Sequence, residues 1–373
     1  MDTYLEKIPV NLKDFKNIAR NILPGDIYDY LSGGAGDEIT INHNEESYNK
    51  IALCPRVLRE VGERDLSLKL LSEQISMPIC IAPTAFHCLA NKEGELATVR
   101  AAAKANTVMI VSMASTMSLE EISKTAFECS EKANPKLWFQ MYLQPDITIT
   151  KAFVKRAEDA GYKALVVTAD SPVFGHRERD IRNGFHQLPN GLSLKNFDAV
   201  ETIGINGKKA TLELSAQITW KDIETLISIT KLPVFIKGIM CSEDAELAIQ
   251  HGVDGIIVSN HGGRQLDTVP PTIEVLPKIA STVNGRVPVI VDGGIRRGTD
   301  VLKALALGAD AIAIGRPILW GLASNGEKGV SEVLKMLKHE LDISMALCGC
   351  STLQEINKSL IYSKRNSFDS YSW

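Results

Sequence analysis

Short apolar runs, rich in β-branched residues, alternate with longer stretches of helical periodicity along most of this chain. From residue 76 onward the pattern predicts strands at Ile79–Ala82, Val108–Val111, Leu137–Met141, Ala164–Val167, Val234–Ile236, Ile256–Val258, Val287–Val291 and Ala311–Ile314. Between and after them it predicts helices at Glu93–Ala105, from Leu119, Ile149–Ala160, Trp220–Ile229, Ser242–His251, near Ile273–Ala280, Thr299–Leu307 and Val330–Glu340. Several end on a glycine (Gly161, Gly252, Gly308), and Ser242 reads as an N-cap with Glu243 and Asp244 in the first turn. Eight strand–helix units over about 265 residues predict an α/β fold, a (β/α)8 TIM barrel. An open doubly wound sheet is the alternative, but no Gly-x-Gly-x-x-Gly follows the first strand. Residues 1–75 form a helical extension ahead of the barrel. It has amphipathic helices at Leu12–Leu23 and around Ile27–Leu31, then an irregular segment from Ile51 to Leu71. The polar stretch 171–217 is too long for a plain connection and reads as a lid or a partly disordered loop. Residues 346–373 form a tail, and no linker divides the 373 residues into two domains.

In such a barrel, function gathers at the C-terminal ends of the strands. In chain order these carry Pro83-Thr84-Ala85, Ser112, Gln140 and Tyr142, Thr168 and Asp170, Lys237, Ser259 and His261, Asp292-Gly293-Gly294, and Gly315-Arg316. The richest is Ser259-Asn260-His261-Gly262-Gly263-Arg264-Gln265-Leu266-Asp267, which follows the buried run Gly255–Val258. His261 is the best candidate base, Asp170 can orient it, and Arg264 and Arg177 can hold a carboxylate, with hydroxyl donors from Tyr30 and Tyr142. A plain glycine turn with two solvated polar residues is the alternative for the motif taken alone. Lys237 can stabilise a developing anion or form a Schiff base. The glycines and arginines after the last two strands, with Arg296 and Arg316, suit a phosphate-bearing ligand.

Composition narrows the partners. A net charge of −4 gives no basic excess for nucleic acid, and no apolar run reaches the length of a membrane helix. The first residues carry no secretory signal, and Tyr371-Ser372-Trp373 is not a Ser-Lys-Leu address. The seven cysteines suit a reducing compartment. Cys348 and Cys350 lack a second ligand pair and read as buried thiols, and no His pair has metal-ligand spacing, so no metal is expected. His43, His186, His251 and His339 read as structural or solvated, whereas His87 and His176 edge the site.

Ser259–Asp267 with Val269-Pro270, the run Val291–Val301, Lys303–Ala309, Ile81–Leu89 and Gly315–Gly321 together resemble the FMN-dependent 2-hydroxy acid oxidases. Glycolate oxidase, long-chain hydroxy acid oxidase, lactate oxidase and mandelate dehydrogenase belong to that family. The resemblance runs from about residue 12 to about 360, and Ile81–Leu89 and Gly315–Gly321 look most like the animal long-chain enzymes. It implies FMN as cofactor. Pro83, Thr84, Ala85, Ser112, Gln140 and Thr168 would contact the flavin ring, with Lys237 beside N1 and the C2 carbonyl. Ser259, Asp292, Gly293, Gly294, Ile295, Arg296, Gly315 and Arg316 would hold the ribityl chain and phosphate. It further implies that Tyr30, Arg177 and Arg264 bind the substrate carboxylate, that Tyr142 binds the hydroxyl or keto oxygen, and that His261 is the catalytic base paired with Asp170. The implied reaction takes a small 2-hydroxy acid to the 2-oxo acid and dioxygen to hydrogen peroxide, in a homotetramer that is peroxisomal or cytoplasmic. A dehydrogenase with another electron acceptor, or a preference for glycolate or lactate, is the alternative within the family, and a flavin-free barrel using Lys237 the alternative outside it. One departure bears on substrate: Ala114 stands where glycolate-preferring members carry Trp, which predicts a wider pocket and a medium- or long-chain or aromatic substrate. The polar loop lacks the apolar docking segment of membrane-bound mandelate dehydrogenases, and no haem domain precedes the barrel, so no membrane or cytochrome partner is expected.

Overall fold

The computed structural model describes residues 8–130, 134–198 and 211–362. Its centre is a closed barrel of eight parallel strands, β3 (Ile79–Ile81), β4 (Met109–Ser112), β5 (Leu137–Met141), β6 (Ala164–Thr168), β7 (Val234–Ile239), β8 (Gly255–Val258), β9 (Val289–Asp292) and β10 (Ala311–Ile314). Closure is made by β10 against β3, with Ile312, Ala313 and Ile314 opposite Ile79, Cys80 and Ile81. The strands are short and buried on both faces, which is why they read as continuous apolar runs. Period-two alternation nonetheless divides them. Cys80, Ile110, Trp138, Val166, Phe235, Ile257, Ile290 and Ala313 fill the interior, while Ile79, Val111, Phe139, Leu165 and Val258 pack under the helices. Trp138 and Phe235 meet at 4.6 Å between ring centroids, and a side chain at Gly255 would collide with the Phe235 ring.

The predicted helices are present with modest shifts: α4 (Gly94–Lys104), α5 (Leu119–Cys129), α6 (Ile147–Asp159), α9 (Trp220–Ile229), α10 (Ser242–Gln250), α11 (Thr272–Val283) and α12 (Gly298–Ala306). Three expectations are corrected. The N-cap of α10 is Cys241, whose sulfur accepts from Asp244 N at 3.5 Å, and Ser242 is the first helical residue. The last helix, α13, is not confined to 330–340 but runs Arg316–Cys348, with a break at Asn325 and Gly326 where the backbone leaves helical angles. The segment 51–71 is not wholly irregular. Leu68–Leu70 (β1) pairs antiparallel with Glu73–Ile75 (β2), and Leu70 and Ile75 seal the barrel's interior core.

The N-terminal extension has three helices, α1 (Leu12–Ile22), α2 (Gly25–Ser32) and α3 (Ile39–Asn49). Helix α3 was not expected, because Ile39–Asn49 has almost no apolar stripe. It buries Thr40, Asn44, Ser47 and Tyr48 instead. Its polar groups are matched by the 259–267 motif. Asn44 and Asn260 exchange two amide hydrogen bonds (2.9 and 2.8 Å), and Asp267 accepts from Ile39 N and Thr40 N at the start of α3. Ala35 N donates to Gly263 O at 2.8 Å. The extension is therefore one wall of the barrel mouth. The 171–217 stretch contains α7 (Glu178–Arg182) and α8 (Lys195–Asp198), and its residues 199–210, like the C-terminal Tyr371-Ser372-Trp373, lie outside the described residues.

Candidate active site

A cavity of about 850 Å³ opens at the C-terminal ends of the strands. Of the predicted site residues it is lined by Tyr30, Pro83, Thr84, Ala85, Ser112, Gln140, Tyr142, Thr168, Arg177, Lys237, His261, Arg264, Asp292, Gly293, Gly294, Ile295, Arg296, Gly315 and Arg316. Asp170 and Ser259 stand behind that wall. Ser259 is fully buried and accepts from Lys237 Nζ (2.9 Å) and from His261 N (3.0 Å), so it positions two lining residues.

His261 adopts a left-handed backbone (φ 57°), a strain of roughly 1–3 kcal/mol for a non-glycine residue. Ser259 and Asp170 hold it there. Asp170 Oδ1 accepts from His261 Nδ1 at 2.8 Å. This approach depends on Gly238, where φ is 110° and an added Cβ would lie 2.7 Å from Asp170 Cβ. Burial pushes the Asp170 carboxyl up, but the charges of His261 and Lys237 and the hydrogen bonds from His261 and Ser171 outweigh it and hold the group at about 2. An ionised Asp170 can only accept, so the His261 proton sits on Nδ1 and the Nε2 lone pair is left for chemistry. Burial lowers the His261 pKa, Asp170 raises it in part, and Lys237 lowers it again. The imidazole is thus neutral and ready to take a proton near neutral pH.

Two guanidinium groups share the cavity with this base. Arg264 Nη1 donates to the carbonyls of Tyr30 (2.8 Å) and Gly33 (3.1 Å), and its guanidinium lies 5.0 Å from the Tyr30 ring centroid. Arg177 Nε donates to Arg264 O at 3.4 Å. Neither has an ion-pair partner among the described residues. Burial and then the Arg264 charge push Arg177 down to about 10, the mark of a cation short of an anion. Tyr142 is half-buried, and its desolvation followed by the Asp170 charge raises its phenol pKa and keeps it protonated as a donor.

The opposite side gathers amide, hydroxyl, carboxylate and guanidinium groups around a glycine loop. Gln140 is fixed across the ends of β4, β5 and β6, its Oε1 accepting from Ser112 Oγ (3.1 Å) and its Nε2 donating to Thr168 Oγ1 (3.0 Å). Lys237 Nζ lies 3.7 Å from Asp292 Oδ2, so it is an ion-paired cation rather than a free amine suited to a Schiff base. Gly294, at φ 82°, packs so tightly on α3 that any side chain would collide with the Asn44 carbonyl. Asp292 Oδ1, Arg296 Nε and Arg316 Nε are buried without a hydrogen-bond partner. Burial, then the charges of Arg264 and Arg296, lower Arg316. Orphaned donors on two arginines beside a glycine loop fit a phosphate, and the orphaned carboxylate oxygen fits a polyol.

Residues 19–363 match the family model described as FMN-dependent dehydrogenase. The chain belongs to the FMN-dependent dehydrogenase family. It is 49% identical over 357 residues to a 2-hydroxyacid oxidase of Dictyostelium discoideum, covering 95% of this chain and 90% of that one. It is 47% identical to an L-lactate oxidase of Nostoc, covering 95% and 98%. Among solved structures, mandelate oxidase superposes with a TM-score of 0.86 at 39% identity, over 96% of this chain and 99% of that one. FMN is the cofactor of this family. Membership removes the flavin-free barrel from consideration.

This FMN-dependent dehydrogenase also uses residues that the sequence left aside. Asn44, Asn260 and Asp267 fasten the 259–267 motif to α3; all three are polar residues in or facing that motif, a signal that was available. His186, expected to be structural or solvated, is exposed and stands at the cavity with His176. His251 pairs with Glu224 at 2.8 Å and stacks on Trp220, away from the site. Cys348 and Cys350 are buried free thiols. No helix of the described residues is long and apolar enough to cross a membrane.

Proposed function

We infer that this protein is an (S)-2-hydroxy-acid oxidase. The observation that carries the reading is a neutral His261 imidazole, held by the ionised Asp170, facing two arginines that lack ion-pair partners among the described residues, in one cavity with a glycine loop suited to a phosphate. Arg177 and Arg264 bind the substrate carboxylate, and Tyr30 and Tyr142 orient it through their hydroxyls. The substrate's hydroxyl and its α-hydrogen are then presented to Nε2 of His261, which takes the proton. Asp170 stabilises the resulting imidazolium without itself becoming protonated. Pro83, Thr84, Ala85, Ser112, Gln140 and Thr168 hold the flavin ring. Asp292, Gly293, Gly294, Ile295, Arg296, Gly315 and Arg316 hold the ribityl phosphate, and Ser259 supports this set from behind. Lys237 would offset negative charge gained by a bound flavin ring. When bound, FMN would supply the two-electron acceptor, with dioxygen as the final oxidant and hydrogen peroxide as the second product.

The substrate is a medium- or long-chain or aromatic 2-hydroxy acid. Ala114 is buried in the cavity wall and leaves space there, and Phe86, Phe185, Leu192 and Leu212 make the neighbouring surface apolar. Turnover of 2-hydroxyoctanoate or mandelate above that of glycolate is the expected result, and a clear glycolate preference overturns this assignment. Residues 171–198 act as a lid over the cavity, since Arg177, Phe185 and Leu192 all come from them. Assembly as a homotetramer and a peroxisomal or cytoplasmic location follow the family resemblance; light scattering on the purified protein tests the first.

A further inference from the structure

His87 is a fully buried histidine with no part in the chemistry above, placed between two threonines. Its Nε2 lies 2.7 Å from Thr84 Oγ1 and its Nδ1 lies 2.9 Å from Thr98 Oγ1. The turn that carries it is rigid. The buried Glu95 carboxylate accepts from His87 N (3.0 Å), Thr116 N (2.9 Å) and Thr116 Oγ1 (2.7 Å), joining the loop after β3 to the loop after β4. The imidazole therefore has no room to swing, and the direction of each hydrogen bond is the open matter. The Thr98 hydroxyl has two acceptors within reach, His87 Nδ1 at 2.9 Å and Gly94 O at 3.5 Å. The second is beyond the ordinary O–H···O range, so Thr98 donates to Nδ1. A neutral imidazole has one donor and one acceptor nitrogen. With Nδ1 accepting, Nε2 carries the proton and donates to Thr84 Oγ1.

We propose that His87 is a positioning residue for the flavin: the chain Thr98 to His87 to Thr84 turns the Thr84 hydroxyl proton into the cavity, toward an acceptor atom of the ring. This rests on the assignment of Thr84 to the flavin contact. Thr84 lines the cavity, and once its oxygen accepts from His87 its own proton is free to be donated there. Burial lowers the His87 pKa, opposed in part by the Glu95 charge and the Thr84 carbonyl, in keeping with a neutral ring. Successive donors in one direction polarise one another and strengthen the last. A donor at the ring edge favours the reduced flavin, whose acceptor atoms carry more negative charge.

The test uses FMN-loaded protein and measures the reduction potential and visible spectrum of the bound flavin. Thr84→Val and His87→Leu are each expected to lower the reduced-to-oxidised ratio at fixed potential by about three- to tenfold, one neutral hydrogen bond's worth; tenfold is about 30 mV for a two-electron couple. The double variant is expected to match Thr84→Val alone, because His87 acts only through that hydroxyl. His87→Gln, which keeps a donor, is expected to restore the ratio to near the parent value. In the unaltered holoenzyme, ¹⁵N spectra of imidazole-labelled protein should show the proton on Nε2 of His87, assigned by its loss in His87→Gln; this holds even if His87→Leu does not fold. A potential unchanged by Thr84→Val overturns the placement of the flavin against Thr84, and this proposal with it. A shift with Thr84→Val but not with His87→Leu, additive effects in the double variant, or a proton on Nδ1 alone overturns the relay and leaves the flavin's placement standing.

Discussion

Replacing Asp170 by Asn removes one charge and leaves the shape of the site nearly intact. In the folded protein the Asp170 carboxyl lies at about 2, against an ordinary 3.8, despite its burial. That difference corresponds to about 2 kcal/mol in favour of the ionised form. His261, at 2.8 Å, supplies the first-ranked favourable part, with Lys237 and Ser171 sharing the rest. The same attraction stabilises the imidazolium formed when His261 takes the substrate's proton. Losing it is therefore expected to slow flavin reduction by up to ~30-fold, the rate equivalent of about 2 kcal/mol. The effect should fall on the rate at saturating substrate rather than on KM, because Arg177 and Arg264 are untouched. The pH dependence gives an independent check. Asp170 raises the His261 pKa, so without it burial and Lys237 act unopposed, and the acid limb of kcat/KM should move to lower pH in Asp170→Asn. The stability side has the sign of a depressed carboxyl: Asp170 stabilises the fold above about 3.8, and the contribution fades as pH falls toward about 2. The assay is anaerobic stopped-flow reduction of the bound flavin between pH 5 and 9. Reduction within threefold of the parent rate, or an acid limb that moves upward, refutes the assigned roles.

Other outcomes follow from the same geometry. Arg177→Met and Arg264→Met should each lower kcat/KM by about ten- to a hundredfold through loss of a charge-assisted hydrogen bond, and the penalty should vanish for a neutral 2-hydroxy amide. The acid limb of kcat/KM in the parent enzyme should lie below the ordinary histidine value of 6.5, because burial lowers His261; a limb above it would contradict that environment. Ala114→Trp should fill part of the cavity and turn preference from 2-hydroxyoctanoate toward glycolate, read from the ratio of the two kcat/KM values. Arg316→Ala should weaken FMN binding at least tenfold and abolish the rise in melting temperature that inorganic phosphate gives the flavin-free protein, since the buried Arg316 lacks a partner at Nε.

The barrel was legible because its strands are short apolar runs set between helical periods, and the candidate site because the polar residues that end those runs line one cavity. What stayed hidden was polar in sequence and buried in space. Ile39–Asn49 offers no apolar stripe, so α3 emerges only when Asn44 and Thr40 meet Asn260 and Asp267 more than two hundred residues away. The hairpin β1–β2 spans three residues a side and gains its strand character from sealing the barrel, not from its own pattern. Serine outranks cysteine as a helix cap by propensity, yet the chain places the sulfur of Cys241 within reach of Asp244 N. In α13, Gly321, Asn325 and Gly326 interrupt the period, and packing carries the helix past the break to Cys348. For His87, nearness to a strand end was visible, but the hydrogen bonds to Thr84 and Thr98 depend on the fold of the turn.

The most direct measurement is the visible spectrum of the purified protein before and after a racemic 2-hydroxy acid is added without air, and again once air is admitted. The expected sequence is a flavin spectrum, bleaching by substrate, and prompt return with one equivalent of hydrogen peroxide. Bleaching with slow return in air would mean that electrons leave to an acceptor other than dioxygen. A flavin that no 2-hydroxy acid bleaches would contradict the roles assigned to His261, Arg177 and Arg264.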